Sequence, residues 1–161
     1  MAWRHAVVLA PLALSRPGAT LSWMNAVQSV LVNGEVGPVA VRVLIVDDQE
    51  PFRMAARMVV EATEGFDVVG EVETGEDAVE AARTLDPDLV LMDVNLPGIN
   101  GLDATRQILE GSDRVVILLL STYEEEEYGP RAAECGAAAY VPKSSFGPDR
   151  LSEAWASATG T

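Results

Sequence analysis

The residues of this sequence that can do chemistry are the pair Asp47-Asp48, Asp93, Ser121 and Lys143. The first three stations each end an apolar run: Val43 to Val46 before Asp47, Leu89 to Met92 before Asp93, and Val115 to Leu120 before Ser121. Lys143 stands just past a fourth such run, Ala138 to Val141. Three carboxylates brought together repel one another, and each raises its neighbours' pKa unless a cation lies between them. An all-oxygen ligand set with positions left for water suits Mg2+. With its charge shielded in that way, Asp93 keeps one oxygen free to attack phosphorus, a transfer governed by positioning and charge neutralisation. Ser121 offers a hydroxyl to a phosphoryl oxygen. Lys143 is the only lysine in a chain that otherwise uses arginine, which suggests a site wanting a compact point charge. Taken singly, each residue has an ordinary use as a helix cap, turn former or solvated charge. Only their convergence is specific.

Convergence requires parallel strands, and the rest of the pattern supplies them. After the run at 43–46, Pro51 suits a first helical turn, and Phe52, Ala55, Ala56, Val59 and Val60 make one apolar face. A half-polar strand follows over 66–74, then a helix over 76–85 ended by Asp86-Pro87. The strand at 89–92 leads through a loop, 95–101, to a helix over 102–110. The strand at 115–120 precedes a helix ending at Gly136, the strand at 138–141 precedes a helix over 148–158, and Pro142 closes that last strand. Five strand–helix units in succession predict an α/β fold, a (βα)5 doubly wound parallel sheet. Runs 43–46, 89–92 and 115–120 are apolar on both faces and belong in the centre. The strand over 66–74 carries Asp67, Glu71 and Glu73, and proline is tolerated at edges, so the second and fifth strands belong outside. The order 2-1-3-4-5, common in such folds, satisfies this and puts every candidate residue on one rim. Glu124 to Glu127 is the densest charge run. Because Gly129-Pro130 disfavours helix, regular helix is expected only from about Pro130 to Cys135, with a looser acidic segment before it.

The chain has 161 residues, 48% of them hydrophobic, enough for one packed domain and an appendage. Residues 1–40 carry Arg4 and Arg16 against Glu35, so a total charge of −14 leaves −15 on residues 41–161. That sign repels phosphate backbones and weighs against direct DNA binding. Cys135 is the only cysteine, which rules out an internal disulfide and fits a cytoplasmic location. The apolar stretch Ala6 to Leu14 is too short to span a membrane, though it resembles a signal-peptide core. We expect 1–40 to be an N-terminal extension, disordered or the product of a mis-assigned start, with Val39 an alternative start. Within it Trp23, Ala26, Val27, Val30 and Leu31 fall at helical spacing, ended by Gly34. The domain proper is expected over 41–161.

Val43 to Asp48, Leu91 to Gly98 with Gly101, Leu120-Ser121 and Tyr140 to Lys143 together resemble the receiver domains of response regulators, the CheY-like superfamily with a flavodoxin-like fold. Asp47-Asp48-Gln49 and Gly101 to Ala104 look most like the NarL/FixJ-type subfamily, usually fused to helix-turn-helix outputs. The resemblance covers about Val41 to Ala158. It implies a two-component phosphorelay in which a sensor histidine kinase or phosphotransfer protein phosphorylates Asp93. Asp47, Asp48, Asp93 and the backbone carbonyl of Asn95 would hold Mg2+. Lys143 would pair with the phosphoryl group, and Ser121 with Tyr140 would form the switch. A downstream protein target would meet the 123–158 face, and a homodimer is a further partner. Such a protein is a phosphoacceptor with at most weak self-phosphotransfer and autodephosphorylation, and not an enzyme. No output domain follows Thr161, so a single-domain regulator without direct DNA binding is expected. Ser144 stands where the family usually has a cis proline, and Pro142 precedes the lysine, so the loop into the last helix is expected to differ. Among rivals, a haloacid-dehalogenase-type phosphatase needs a carboxylic acid where Asn95 stands, and a flavodoxin needs a hydroxyl-rich phosphate loop in place of Asp47 to Glu50. The alternative from another class is a phosphorylation-independent interaction module.

Overall fold

The computed structural model describes residues 29–32, 35–123 and 125–161. The chain divides between Val39 and Ala40. Before the division, β1 (Ser29–Val32) pairs antiparallel with β2 (Glu35–Pro38). Val30 and Leu31, expected on a helix, therefore lie on a strand. The sequence signal for it is the dipeptide Asn33-Gly34, a strong hairpin cue. The rest of that expected helix, Trp23, Ala26 and Val27, lies outside the described residues, as does Glu124.

After the division come β3 (Val41–Val46), α1 (Glu50–Ala62), β4 (Phe66–Val72), α2 (Gly75–Leu85), β5 (Leu89–Asp93), α3 (Gly101–Gly111), β6 (Val116–Ser121), α4 (Glu125–Cys135), β7 (Ala139–Pro142) and α5 (Pro148–Thr159). The sheet order is β4-β3-β5-β6-β7, all parallel, which is 2-1-3-4-5 counted from β3. The apolar strands are central and the half-polar and proline-closed strands are the edges, as their compositions require.

Alternation along the central strands feeds two cores. Leu44, Val46, Val90, Met92, Ile117 and Leu119 face one way and pack with Ala78 of α2, Leu102 and Ile108 of α3 and Ala132 of α4. Val43, Ile45, Leu89, Leu91, Leu118 and Leu120 face the other way and pack with Ala56 and Val60 of α1 and Leu151 and Ala154 of α5. Each fully buried Leu or Ile contributes ~1.5–3 kcal/mol by leaving water, so these two layers supply most of the drive to fold. Local chemistry marks the helix starts. Thr74 caps α2 by accepting from the Asp77 amide at 3.0 Å, and Asn100 caps α3 by accepting from the Asp103 amide at 2.9 Å.

A second expectation fails here. α4 is regular from Glu125, with Pro130 inside it, and not merely from Pro130 onwards. Proline there removes one backbone donor. Because it is only the sixth residue of the helix, the loss falls next to the first turn, where amides lack intrahelical partners anyway. Packing of Ala132 and Cys135, both buried, against the core outweighs that loss.

Candidate functional site

The register places the site. Val46 lies opposite Met92 on β5, so Asp47 and Asp93 are neighbours one residue further along. Leu120 lies opposite Asp93, and Ser121 opposite Pro142, which brings Ser121 and Lys143 to the same rim. The rim is at the carboxyl ends of β3 and β5, where α1 turns to one face of the sheet and α3 to the other. Ligands of doubly wound sheets bind at that point.

Asp47 and Asp93 are 1% and 4% exposed, while Asp48 is exposed to solvent. One carboxylate oxygen from each of the three lies within 4.8 Å of the others. The Lys143 ammonium lies between the buried pair, 2.5 Å from Asp47 Oδ2 and 3.5 Å from Asp93 Oδ1. It also stands 4.3 Å from the centroid of the Phe52 ring, which in turn packs against Phe146. The aromatic face favours a cation and shields it from water. The loop into the last helix opens with a 3-10 turn over Lys143–Ser145, and Ser145 Oγ donates to the Pro142 carbonyl at 3.1 Å.

Burial pushes the Asp93 carboxyl up to about 6, the nearby Asp47 charge adds to the rise, and Lys143 opposes it. One ammonium therefore does not offset the negative charge gathered here. A small divalent cation would, and the donor set of closely spaced hard carboxylate oxygens with one solvent-facing member fits it.

Ser121 is fully buried, and its Oγ accepts from the Tyr123 amide at 3.2 Å. Tyr140, on β7, donates its hydroxyl to the Tyr123 carbonyl at 2.7 Å. The serine and the tyrosine thus hold the same residue of the β6–α4 connection from two sides. The Asn95 amide donates to Asp93 Oδ1 at 3.4 Å, so the loop after β5 bends back over the carboxylate. Asp47, Asp48, Asp93, Asn95, Ser121 and Lys143 lie at this rim or in the connections leading from it, while Tyr140 lies within β7 and meets the β6–α4 connection through its hydroxyl.

Other contacts at the site come from residues to which the sequence assigns no role there. Gly101 donates its amide to the Val94 carbonyl at 2.9 Å, and a Cβ on it would fall 2.0 Å from the Asp93 carbonyl oxygen, so α3 starts directly against the Asp93 backbone. Glu76, at the start of α2, accepts from the Ile99 amide at 3.0 Å, which lowers its pKa and ties down the loop. Gly98 takes φ +77, and a side chain on it would run into the Glu76 carboxylate. Arg53 donates to the Asp47 carbonyl at 2.7 Å.

Residues 43–156 match the family model described as "Response regulator receiver domain". The response regulator GacA of Pseudomonas aeruginosa is 40% identical over 103 residues, 64% of this chain and 48% of that protein. UvrY of Escherichia coli is 43% identical over 103 residues, 64% of this chain and 47% of that protein. The chain thus spans about half the length of these curated relatives. Among solved structures, a two-component response regulator of the LuxR family from Aurantimonas shares 33% identity with a TM-score of 0.69, covering 75% of this chain and 86% of that one. The receiver domain of the putative response regulator NarL from Mycobacterium tuberculosis gives 27% identity and a TM-score of 0.70, covering 77% of this chain and 100% of that one. Matched across most of its length, and with strand order and acidic rim to correspond, the chain belongs to the response regulator receiver domain family.

Proposed function

We propose that Asp93 accepts a phosphoryl group from the phosphohistidine of a sensor histidine kinase or a phosphotransfer protein. A carboxylate oxygen of Asp93 attacks phosphorus, the phosphorus–nitrogen bond breaks, and its electron pair returns to the imidazole. Asp47, Asp48, Asp93 and the Asn95 carbonyl would hold Mg2+, which would supply charge neutralisation at the site. Lys143 moves its charge from the carboxylates to the arriving phosphoryl group. Ser121 turns its hydroxyl toward a phosphoryl oxygen and gives up the Tyr123 amide. Tyr140 and the β6–α4 connection respond, and a protein target reads the change on the 123–158 face. The charge of −15 over 41–161 favours a protein target over DNA for this domain. The protein acts as a phosphoacceptor, with autodephosphorylation by water as its only turnover.

One observation carries this reading. Asp93 is buried at a strand end, with two further carboxylates and a single ammonium aimed at the same few ångströms. A module that signals without phosphate has no use for such a charge arrangement. Incubation with acetyl phosphate and Mg2+, read by phosphate-affinity gel shift, is expected to retard the wild type and to leave Asp93→Asn and chelator-treated samples unshifted. Equal shifts with and without chelator would contradict the role given to Mg2+, and an equal shift for Asp93→Asn would contradict the acceptor assignment.

A further inference from the structure

We propose that Arg53 is a positioning residue of this site, holding Asp47 in the pose from which it binds Mg2+. Four polar atoms of Asp47 are engaged. Its amide donates to the Val72 carbonyl at 3.1 Å, Oδ1 accepts from the Gln49 amide at 2.8 Å, Oδ2 accepts from Lys143, and the main-chain carbonyl accepts from Arg53 Nη1 at 2.7 Å. The other arm of the same guanidinium, Nη2, bonds Glu73 Oε1 at 2.8 Å, directly after the end of β4. Arg53 therefore staples the ends of β3 and β4 together from α1, at the first residue past β3. Its side chain is only 13% exposed, so the charge-assisted bond to the carbonyl is sheltered from water, unlike an ordinary surface pair.

The fork explains why arginine stands here. Two donors set at a fixed angle satisfy a carbonyl and a carboxylate at once, which an ammonium on a flexible stem does less well. The peptide that Arg53 holds leads straight into Asp48, so both acidic residues of the pair depend on it. Outer-shell partners that orient metal-binding groups are typically worth about 10–100-fold in metal affinity. Arg53 does not touch the cation, and its own positive charge weakens cation binding. Loss of positioning and loss of charge thus act in opposite directions, which makes the role testable by sign.

The role rests on the Mg2+ site proposed above. Mg2+ binding is measured by calorimetry on the full chain for wild type, Arg53→Lys and Arg53→Met, with melting curves to establish that each is folded. Arg53→Lys keeps the charge and the apolar stem, so any change reports geometry. It is expected to weaken Mg2+ binding by about 3-fold or more, and Arg53→Met by about 10-fold. Exchange of the Gln49 amide, which reports the turn at Asp47, should quicken in both while amides of the sheet centre stay protected. Tighter binding by Arg53→Met, or unchanged affinity and Gln49 protection in Arg53→Lys, would overturn the role of Arg53 alone. Absence of Mg2+ binding in the wild type would overturn the site itself, and this inference with it.

Discussion

Gly101→Ala is expected to destabilise the domain by about 3 kcal/mol, near the upper end of what overpacking costs. The added methyl would lie 2.0 Å from the Asp93 carbonyl oxygen and 2.9 Å from both the Asp93 carbonyl carbon and the Val94 Cα. All three are main-chain atoms, so no side chain can swing aside to make room. Relief requires α3 to move away from β5 or the strand end to shift, and either displaces the Asp93 carboxylate. The variant should therefore also accept phosphate more slowly than its residual stability would suggest. Gly111, at the other end of α3, serves as the control, because a Cβ there meets nothing within 4 Å. Gly111→Ala should stabilise by about 0.5 kcal/mol through lower unfolded-chain entropy. Urea unfolding of both variants checks the pair. If Gly101→Ala is as stable as Gly111→Ala, the close approach between α3 and Asp93 is wrong.

Asp93→Asn should make the chelator-treated protein more stable at pH 8, although it removes the proposed acceptor. The folded domain holds the Asp93 carboxyl near pKa 6, above the ordinary value of about 3.9 in an unfolded chain. A raised carboxyl pKa means that the folded state binds the proton more tightly than the unfolded state. The associated stability is present below about pH 4 and lost as pH rises through about 6. Two units would be worth about 2.7 kcal/mol, and solvent at the rim reduces this to about 1–2 kcal/mol. Asparagine removes the charge while leaving Lys143 paired with Asp47 at 2.5 Å. Thermal melts in chelator should then show Asp93→Asn above the wild type at pH 8 and the gap closing toward pH 4. Saturating Mg2+ should reverse the order by stabilising the wild type more. A wild type that is the more stable of the two at pH 8 in chelator would show that Asp93 is not under the repulsion described.

The sheet and most of the rim were legible because the code for them is local. Apolar runs at 43–46, 89–92 and 115–120 have no polar face, so they must be central, and whatever follows them must lie at one edge. Asp47, Asp93 and Ser121 come from that argument and Lys143 from the fifth parallel strand ending at the same edge, whereas Asn95 and Tyr140 needed the family resemblance. The misreadings also have local causes. Pro130 is a helix breaker by residue type, and the core packing of Ala132 and Cys135 that outweighs it is not local. Val30 and Leu31 fit a helical spacing, but pairing across Asn33-Gly34 satisfies their backbone groups instead. Arg53, Glu76 and Gly101 were not legible as site residues. What they touch is main chain, the Asp47 carbonyl, the Ile99 amide and the Asp93 carbonyl, and no residue type announces a bond to a backbone atom.

The most direct measurement is the location of the acyl phosphate. Borohydride reduces an aspartyl phosphate to homoserine, leaving a permanent mark on the residue that carried it. The protein is incubated with acetyl phosphate and Mg2+, quenched with borohydride, digested and mapped by mass spectrometry. Homoserine at position 93, and at neither 47 nor 48, is the result predicted by a site in which those two aspartates serve the cation and Asp93 serves phosphorus. Homoserine at Asp47 or Asp48, or none anywhere after complete labelling conditions, would contradict it.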